Sequence, residues 1–302
     1  MIYTVTFSPA IDYVVDLDNL GIGEINRTKK EEAYPGGKGI NVSMVLANLG
    51  KRSVATGFLA GFTGEFIKNE LEKRHIESGF IFVKDGITRI NVKIRAGKET
   101  AINGQGPHIS NEEIERLIAQ LEKLTKDDLL VISGTVPSSL PSNIYEMILE
   151  RIKNNGCTVV VDATKDILLK TLKYHPLLVK PNQEELEEMF NVKIHNDAEL
   201  IENAAKLVDL GAQNVIVSLG GDGALLVGKD VDTIKLAAPK GKVVNTVGAG
   251  DSLVAGFIDE YLNSRNIVNA FRRGIATGSA SAFSETLATK EEVEALLQKM
   301  DK

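Results

Sequence analysis

Apolar residues in the second half of the chain fall into short continuous runs rather than alternating ones. Leu129-Leu130-Val131-Ile132-Ser133, Thr158-Val159-Val160-Val161-Asp162, Leu177-Leu178-Val179-Lys180 and Asn214-Val215-Ile216-Val217-Ser218 each end on a polar side chain. Uninterrupted runs of this length suit strands buried on both faces of a parallel sheet. Helical periodicity returns between them. Ser110 and Glu113 form a capping box ahead of the segment that ends at Leu124. Pro141 opens a segment that Gly156 closes, Asn196 begins one ending near Gly211, and Thr289 with Glu292 caps the last. The strand–helix–strand order predicts an α/β fold, a three-layer sandwich with helices on both sheet faces.

Two segments break this rhythm, at about residues 12–35 and 86–105. The second reads Ile90-Asn91-Val92-Lys93-Ile94-Arg95, a turn at Ala96-Gly97, then Thr100-Ala101-Ile102. Period-two alternation places one face on apolar surface and the other toward water or a ligand. Together the segments predict a small antiparallel sheet hung off the main body, with a simple edge extension as the alternative. No repeat, linker or low-complexity tract divides the chain, so residues 1–302 are expected to form one domain.

Composition narrows the function classes. Of the 302 residues, 43% are hydrophobic and 25% charged, which excludes wholesale disorder. The net charge of −6 disfavours nucleic acid and anionic membrane as partners. No apolar stretch approaches the ~18 residues of a membrane span. Met1 to Asp12 lacks the basic and apolar regions of a secretion signal. With Cys157 as the single cysteine, a reducing cytoplasmic location is the expectation, and Cys157 itself reads as a small core filler. His75, His108, His175 and His195 are isolated and show no metal-ligand spacing.

In open parallel sheets ligands bind beyond the carboxyl ends of the strands. The polar ends Ser133, Asp162, Lys180 and Ser218 therefore mark a crevice, or simply meet solvent. Two glycine turns carry the stronger signal. In Asn245-Thr246-Val247-Gly248-Ala249-Gly250-Asp251-Ser252 the backbone is left uncovered where a helix begins. Free N–H groups and the helix dipole there favour a phosphate or a developing oxyanion. Asp251 is either a general base for an attacking hydroxyl or an acid favoured by the dipole alone. Gly36-Gly37-Lys38-Gly39-Ile40-Asn41 enters a helix that closes at Gly50. Its Lys38 suits an anion and its Asn41 suits hydroxyls, or Lys38 is merely solvated. Neither turn fits the Walker A or Rossmann pattern.

Ser218-Leu219-Gly220-Gly221-Asp222-Gly223 reads as a hairpin turn that could also wrap a nucleotide. Asn182 and Glu185 share one face of an opening helix. They suit an indirect hold on hydrated Mg²⁺, or form an ordinary helix start. No Gly-x-Ser-x-Gly elbow supports acyl transfer.

In this order the motifs resemble those of the ribokinase-like sugar kinases, the PfkB family, from about Met1 to Met300. The turn with Asn41 is similar to that family's N-terminal signature, and Asn245 to Phe257 to its C-terminal one. Phe7–Asp12, Tyr34–Ser43, Thr88–Lys93, Asn103–Pro107 and Leu178–Asn182 resemble the members that act on ketose phosphates. The resemblance implies a ribokinase-like three-layer α/β/α sandwich with a small β-sheet lid. It implies ATP-dependent, in-line phosphorylation of fructose 1-phosphate to fructose 1,6-bisphosphate. Tagatose 6-phosphate is the alternative acceptor, and a non-catalytic sugar-phosphate sensor the alternative class.

By the same likeness Asp251 is the general base, and the amides of Gly248, Ala249 and Gly250 form an anion hole. Asp12, Gly36, Gly37, Asn41, Asn91 and Ser133 surround the sugar. Lys38, with Arg27 and Arg89 from the lid, takes the phosphate already on it. Lys180, Asn182, Ser218, Leu219, Gly220, Gly221, Asp222, Gly223 and Gly250 border ATP, and Asn182 and Glu185 reach Mg²⁺ through water. The implied partners are small molecules and a second copy of the chain, joined through the lid. Phe7-Ser8, Ala163-Thr164-Lys165 and Thr286 depart from the family's usual residues. None is the implied base or anion hole, but Ser8 and 163–165 adjoin the crevice and bear on substrate detail.

Overall fold

The structure is a computed structural model and describes residues 1–300. In chain order the strands are β1 (Ile2–Thr6), β2 (Ala10–Asp16), β3 (Lys30–Gly36), β4 (Ser53–Ala60), β5 (Glu77–Ser78), β6 (Ile81–Val83), β7 (Arg89–Ala96), β8 (Lys98–Asn103), β9 (Leu129–Ser133), β10 (Thr158–Asp162), β11 (Leu178–Val179), β12 (Asn214–Ser218), β13 (Ala224–Gly228) and β14 (Ile234–Leu236). The helices are α1 (Lys38–Asn48), α2 (Gly61–Glu72), α3 (Asn111–Leu121), α4 (Ile144–Ile152), α5 (Lys165–Thr171), α6 (Gln183–Phe190), α7 (Asp197–Asp209), α8 (Ala249–Ser264), α9 (Ile267–Phe283) and α10 (Lys290–Met300).

The main sheet runs β14-β13-β12-β11-β10-β9-β1-β4-β5, with β6 also paired to β4. From β12 to β5 the neighbours are parallel, while β13 and β14 add antiparallel strands at one edge. The expected apolar runs form β9 to β12, and they are buried because helices cover both faces.

Successive residues of a strand point to opposite faces, and this divides the core. Leu130, Ile132 and Val161 pack with α3 and α4. Leu129, Val131 and Val160 pack with α1, α8 and α9. The same alternation, carried to the strand ends, turns Thr6, Ser133, Asp162, Lys180 and Ser218 toward the α1–α8 face. Thr6, Ser133 and Asp162 stand side by side in register. The chain leaves β1 for β4 on one side and later returns to β9 on the other, so this row lies at a topological switch point, where open sheets form a crevice.

A second sheet, β3-β2-β7-β8, adjoins that crevice, since β3 runs through Gly37 into α1 and Ile11 of β2 packs with Ile40 and Met44. The expectation of an antiparallel lid needs correcting. β2–β3 and β7–β8 are antiparallel, but the central pair β2–β7 is parallel. Alternation reveals which face is wet but not strand direction, and β4 and α2 intervene between the two hairpins. A second difference concerns the helix expected from Pro141. Pro141 only accepts the Ile144 N–H in a turn (3.0 Å), and α4 starts at Ile144. The Ser110–Glu113 capping box and the Ser218–Ala224 hairpin pairing appear as expected.

Candidate active site

Two helix N-termini meet at the crevice. Gly37 precedes α1 and Gly248 precedes α8, and neither helix is capped by its own side chain. Thr6 serves α1 instead, its hydroxyl accepting the Ile40 N–H at 2.9 Å. Gly39 is forced by this approach, since a Cβ there would lie 2.6 Å from the Val5 carbonyl oxygen. Gly248 turns the chain into α8 at φ +78, where a side chain is strained. Within that turn the Ala249 N–H is drawn back onto the Thr246 carbonyl (3.2 Å). Among the described residues, no protein acceptor reaches the N–H groups of Gly248, Gly250 and Asp251. The amides free for an anion at this end are thus those of Gly248, Gly250 and Asp251, while that of Ala249 is turned onto Thr246.

Asp251 is buried in the first turn of α8, and Asn41 of α1 donates to its Oδ2 at 2.8 Å. No hydrogen bond from the described residues reaches Oδ1. Burial, helped by the negative charge of Asp162, pushes the Asp251 carboxyl up from 3.8 to about 6, although Lys38, Asn41 and Lys180 oppose the rise. That corresponds to roughly 3 kcal/mol against the charged form. A carboxylate of this strength is still ionised near neutrality, yet is a far better proton acceptor than an exposed one.

Asp162 lies beside it, fully enclosed at the end of β10. Lys38 Nζ approaches its Oδ2 at 3.0 Å, and Lys180 Nζ its Oδ1 at 3.3 Å. Burial pushes the Asp162 carboxyl up, but Lys180 and Lys38 together hold it below the usual range. Burial pulls the Lys38 ammonium down, but Asp162 and Asp251 more than offset that and raise it. In the sequence Asp162 is recognisable only as a polar strand end. Its partners come from residues 38 and 180, and no local spacing announces that meeting.

The lid contributes a second cluster. Asn91 Nδ2 donates to Asp12 Oδ1 at 2.9 Å, and Lys93 Nζ reaches Oδ2 at 3.0 Å. Gly36 lies against Asp12, its missing Cβ only 2.9 Å from Oδ2. Lys93 was absent from the candidate residues; its alternation with Asn91 along β7 was the available signal. Arg89 is half-buried at the start of β7, with Gly104 O at 3.5 Å and burial lowering its guanidinium. It borders a small pocket with Ser8, Thr88, Gln105 and Ser139. Arg27 is exposed in the loop between β2 and β3. Lys38, Arg89 and Arg27, expected together on one phosphate, are therefore held in three settings here.

The buried side-chain atoms left without a partner among the described residues are Arg89 Nε, Asn91 Oδ1 and Ser133 Oγ. Each such atom costs about 1–3 kcal/mol, and all three belong to candidate substrate residues at the crevice or its lid, where a ligand would satisfy them.

Toward β12 the geometry changes character. Asn182 and Ser218 are joined by a parallel bridge, so Lys180, Asn182 and Ser218 sit on adjacent strand ends. Gly220 to Asp222 form a short 3₁₀ turn whose Gly220 and Gly221 face open space. Asn182 and Glu185 form a reciprocal capping box, with the Glu185 N–H donating to Asn182 Oδ1 (2.7 Å) and the Asn182 N–H to Glu185 Oε2 (2.9 Å). No group of three metal-ligating side chains occurs among the described residues. This pair does not form a direct cage, but Glu185 Oε1 remains free for a metal-bound water.

Comparison with known proteins gives this site its family. The family profile for the pfkB family carbohydrate kinases matches residues 3–293. The chain belongs to that family. A 1-phosphofructokinase of Bacillus subtilis is 47% identical over 98% of this chain and 97% of its own. A D-tagatose-1-phosphate kinase of Bacillus licheniformis is 40% identical over 95% of this chain and 94% of its own. Among solved structures, Escherichia coli phosphofructokinase-2 in complex with substrates and products superimposes with a TM-score of 0.92, at 28% identity, over 100% of this chain and 99% of that one. The molecule is a carbohydrate kinase of ribokinase-like fold. No helix among the described residues is long and apolar enough to cross a membrane.

Proposed function

We propose that this kinase transfers the γ-phosphoryl of ATP to the C6 hydroxyl of D-fructose 1-phosphate, giving D-fructose 1,6-bisphosphate. The observation that carries the reading is the pairing of a buried Asp251, its carboxyl raised to about 6, with unpartnered amides of its own helix end. Phosphoryl transfer needs positioning and charge stabilisation rather than a covalent intermediate. The free amides of Gly248, Gly250 and Asp251 receive the migrating phosphoryl, while Asp251 Oδ1 takes the proton of the attacking hydroxyl. Asn41 occupies Oδ2 and so fixes which oxygen acts.

Asp12, Asn41 and Asn91 hold the sugar hydroxyls, and Arg89 takes the phosphate already present. Its unpartnered Nε supports that assignment. The nucleotide lies along Lys180, Asn182, Ser218 and the Gly220–Gly223 turn. Glu185 and Asn182 would hold Mg²⁺ through its water shell, and the ion would supply charge neutralisation for the nucleotide. The exposed strand β8, with Ile102 uncovered, supports pairing of two copies through the lid.

The likeness to a D-tagatose-1-phosphate kinase favours D-tagatose 1-phosphate as a second acceptor. Tagatose 6-phosphate, the alternative acceptor expected from sequence, differs from it in carrying its phosphate on C6 rather than C1. The test is an ATP/Mg²⁺ assay with fructose 1-phosphate, tagatose 1-phosphate, tagatose 6-phosphate and fructose 6-phosphate. The highest kcat/KM is expected for fructose 1-phosphate. Turnover confined to the two 6-phosphates would overturn the reading. Ligand-induced thermal shifts without ATP consumption would instead indicate a sensor.

A further inference from the structure

We infer that Asp162 is a positioning residue that holds Lys38 for the acceptor and Lys180 for the donor with one enclosed carboxylate, coupling the two halves of the site. The inference rests on the phosphoryl-transfer reading above, but concerns a residue that need not touch either substrate. Each Asp162 oxygen has its own ammonium, Lys38 on Oδ2 at 3.0 Å and Lys180 on Oδ1 at 3.3 Å. The lysines come from opposite sides. Lys38 is the first residue of α1, three before Asn41. Lys180 follows β11, two before Asn182, and its Nζ would lie 3.3 Å from a Cβ at Gly250. Asp162 stands between them at the end of β10, almost wholly excluded from water.

This division of labour follows from charge. One cation would be enough to neutralise the buried Asp162 carboxylate, and the second balances the ionised Asp251 that both lysines also face. Each ammonium is tied to its own carboxylate oxygen, which opposes both gathering on a single phosphate. Each stays on its own side while charge moves between them. Long lysine side chains are otherwise mobile point charges, and fixing them beforehand removes that ordering cost from the transfer step. Asp251 is faced by Asp162 from β10, Lys38 and Asn41 from α1, and Lys180 beyond β11. A change at residue 162 must therefore reach the base electrostatically as well.

Asp162→Asn in the full chain tests this. The expected result is a rise of about tenfold or more in KM for both ATP and fructose 1-phosphate, as charge-assisted contacts loosen. The acid limb of the kcat/KM profile is expected to move down by about one pH unit, because a negative neighbour of Asp251 is lost. A residue that only supported the fold would lower the active fraction and leave both KM values and the limb in place, and that outcome would overturn the inference. Should Asp162→Asn fail to fold, Lys180→Met and Lys38→Met carry the test. The first is expected to raise chiefly the KM of ATP, the second chiefly that of the acceptor, and equal effects on both substrates in each variant would refute the division. Calorimetric titration with ATP and with fructose 1-phosphate reads the same selectivity without turnover. A wild type that binds both but phosphorylates no ketose phosphate would refute the kinase assignment and leave this readout intact.

Discussion

The side-chain amide of Asn41 meets the carboxylate of Asp251 at 2.8 Å, joining positions 210 residues apart. This bond fastens the start of α1 to the start of α8. It gives two glycine turns, each ambiguous in the sequence, a common purpose. The amide holds one carboxylate oxygen, and the other is left toward the crevice. Replacing Asp251 by Asn removes the proton acceptor while nearly preserving shape. The expected outcome is a fall in kcat of at least ~10²-fold, the scale of a positioned general base, with calorimetric binding of ATP and fructose 1-phosphate retained. Near wild-type turnover would dismiss Asp251 from the chemistry.

The same substitution should alter stability in a pH-dependent way. The Asp251 carboxyl titrates at about 6 in the folded chain, against an ordinary value of 3.8. A folded-state value raised in this way means that the carboxyl's favourable contribution is complete below about pH 3.8. It is lost as the pH rises through about 6. Asn stays uncharged throughout. Asp251→Asn is therefore expected to gain stability relative to wild type between pH 4 and pH 8, by up to roughly 3 kcal/mol. Urea midpoints at pH 5 and pH 8 measure the gap, and a gap of equal size at both would contradict the assignment.

Activity should follow the opposite course with pH. Asp251 must be ionised to accept a proton, so kcat/KM is expected to decline below about pH 6. Lys38 lowers the Asp251 value, and Lys38→Met should move this limb upward in the residual activity. The ionisation of the substrate phosphate would not move between the two proteins, which separates the two origins. A limb unchanged in Lys38→Met would mean that it reports the substrate rather than Asp251.

Much of this was legible in the sequence, for identifiable reasons. Continuous apolar runs at Leu129–Ser133 and Thr158–Asp162 suit strands covered on both faces, and the parallel sheet was the expectation they supported. Two glycine turns entering helices marked the two helix ends that meet at the crevice, because glycine there answers a local backbone requirement. The parallel β2–β7 pairing was not legible, since direction depends on where the intervening β4 and α2 carry the chain. Nor was the Lys38–Asp162–Lys180 cluster, whose members share no local pattern and meet only because their strands are ordered as they are. The Ala249 amide, expected open with those of Gly248 and Gly250, is turned in this structure onto an acceptor three residues back. Its acceptor, Thr246, reaches it only in the folded turn.

The nucleotide's path can be tested where the fold is indifferent to a side chain. Nothing lies within 4 Å of a Cβ built at Gly221, and its φ is not in the left-handed region. Gly221→Leu should change stability by no more than about 0.5 kcal/mol, as surface substitutions do. If ATP lies along the 218–223 turn, its KM should rise several-fold while that of fructose 1-phosphate stays constant. An unaltered ATP KM would place the nucleotide elsewhere.

Arg89 gives the sharpest test of acceptor type. Its Nε is buried without a partner, a state that costs about 1–3 kcal/mol unless a ligand accepts the hydrogen bond. A guanidinium–phosphate contact is worth about 1.5–3 kcal/mol, or roughly 10- to 100-fold in binding. Arg89→Met keeps the apolar stem and removes the donors. The expected outcome is a rise of that size in the KM of fructose 1-phosphate, with the ATP KM unchanged. Turnover of unphosphorylated fructose should be affected little or not at all, because it has no phosphate for the guanidinium to hold. If both sugars lost equally, Arg89 would be supporting the lid through Gly104 rather than recognising phosphate, and the basis for choosing a phosphorylated acceptor would shift to Lys93 and Lys38.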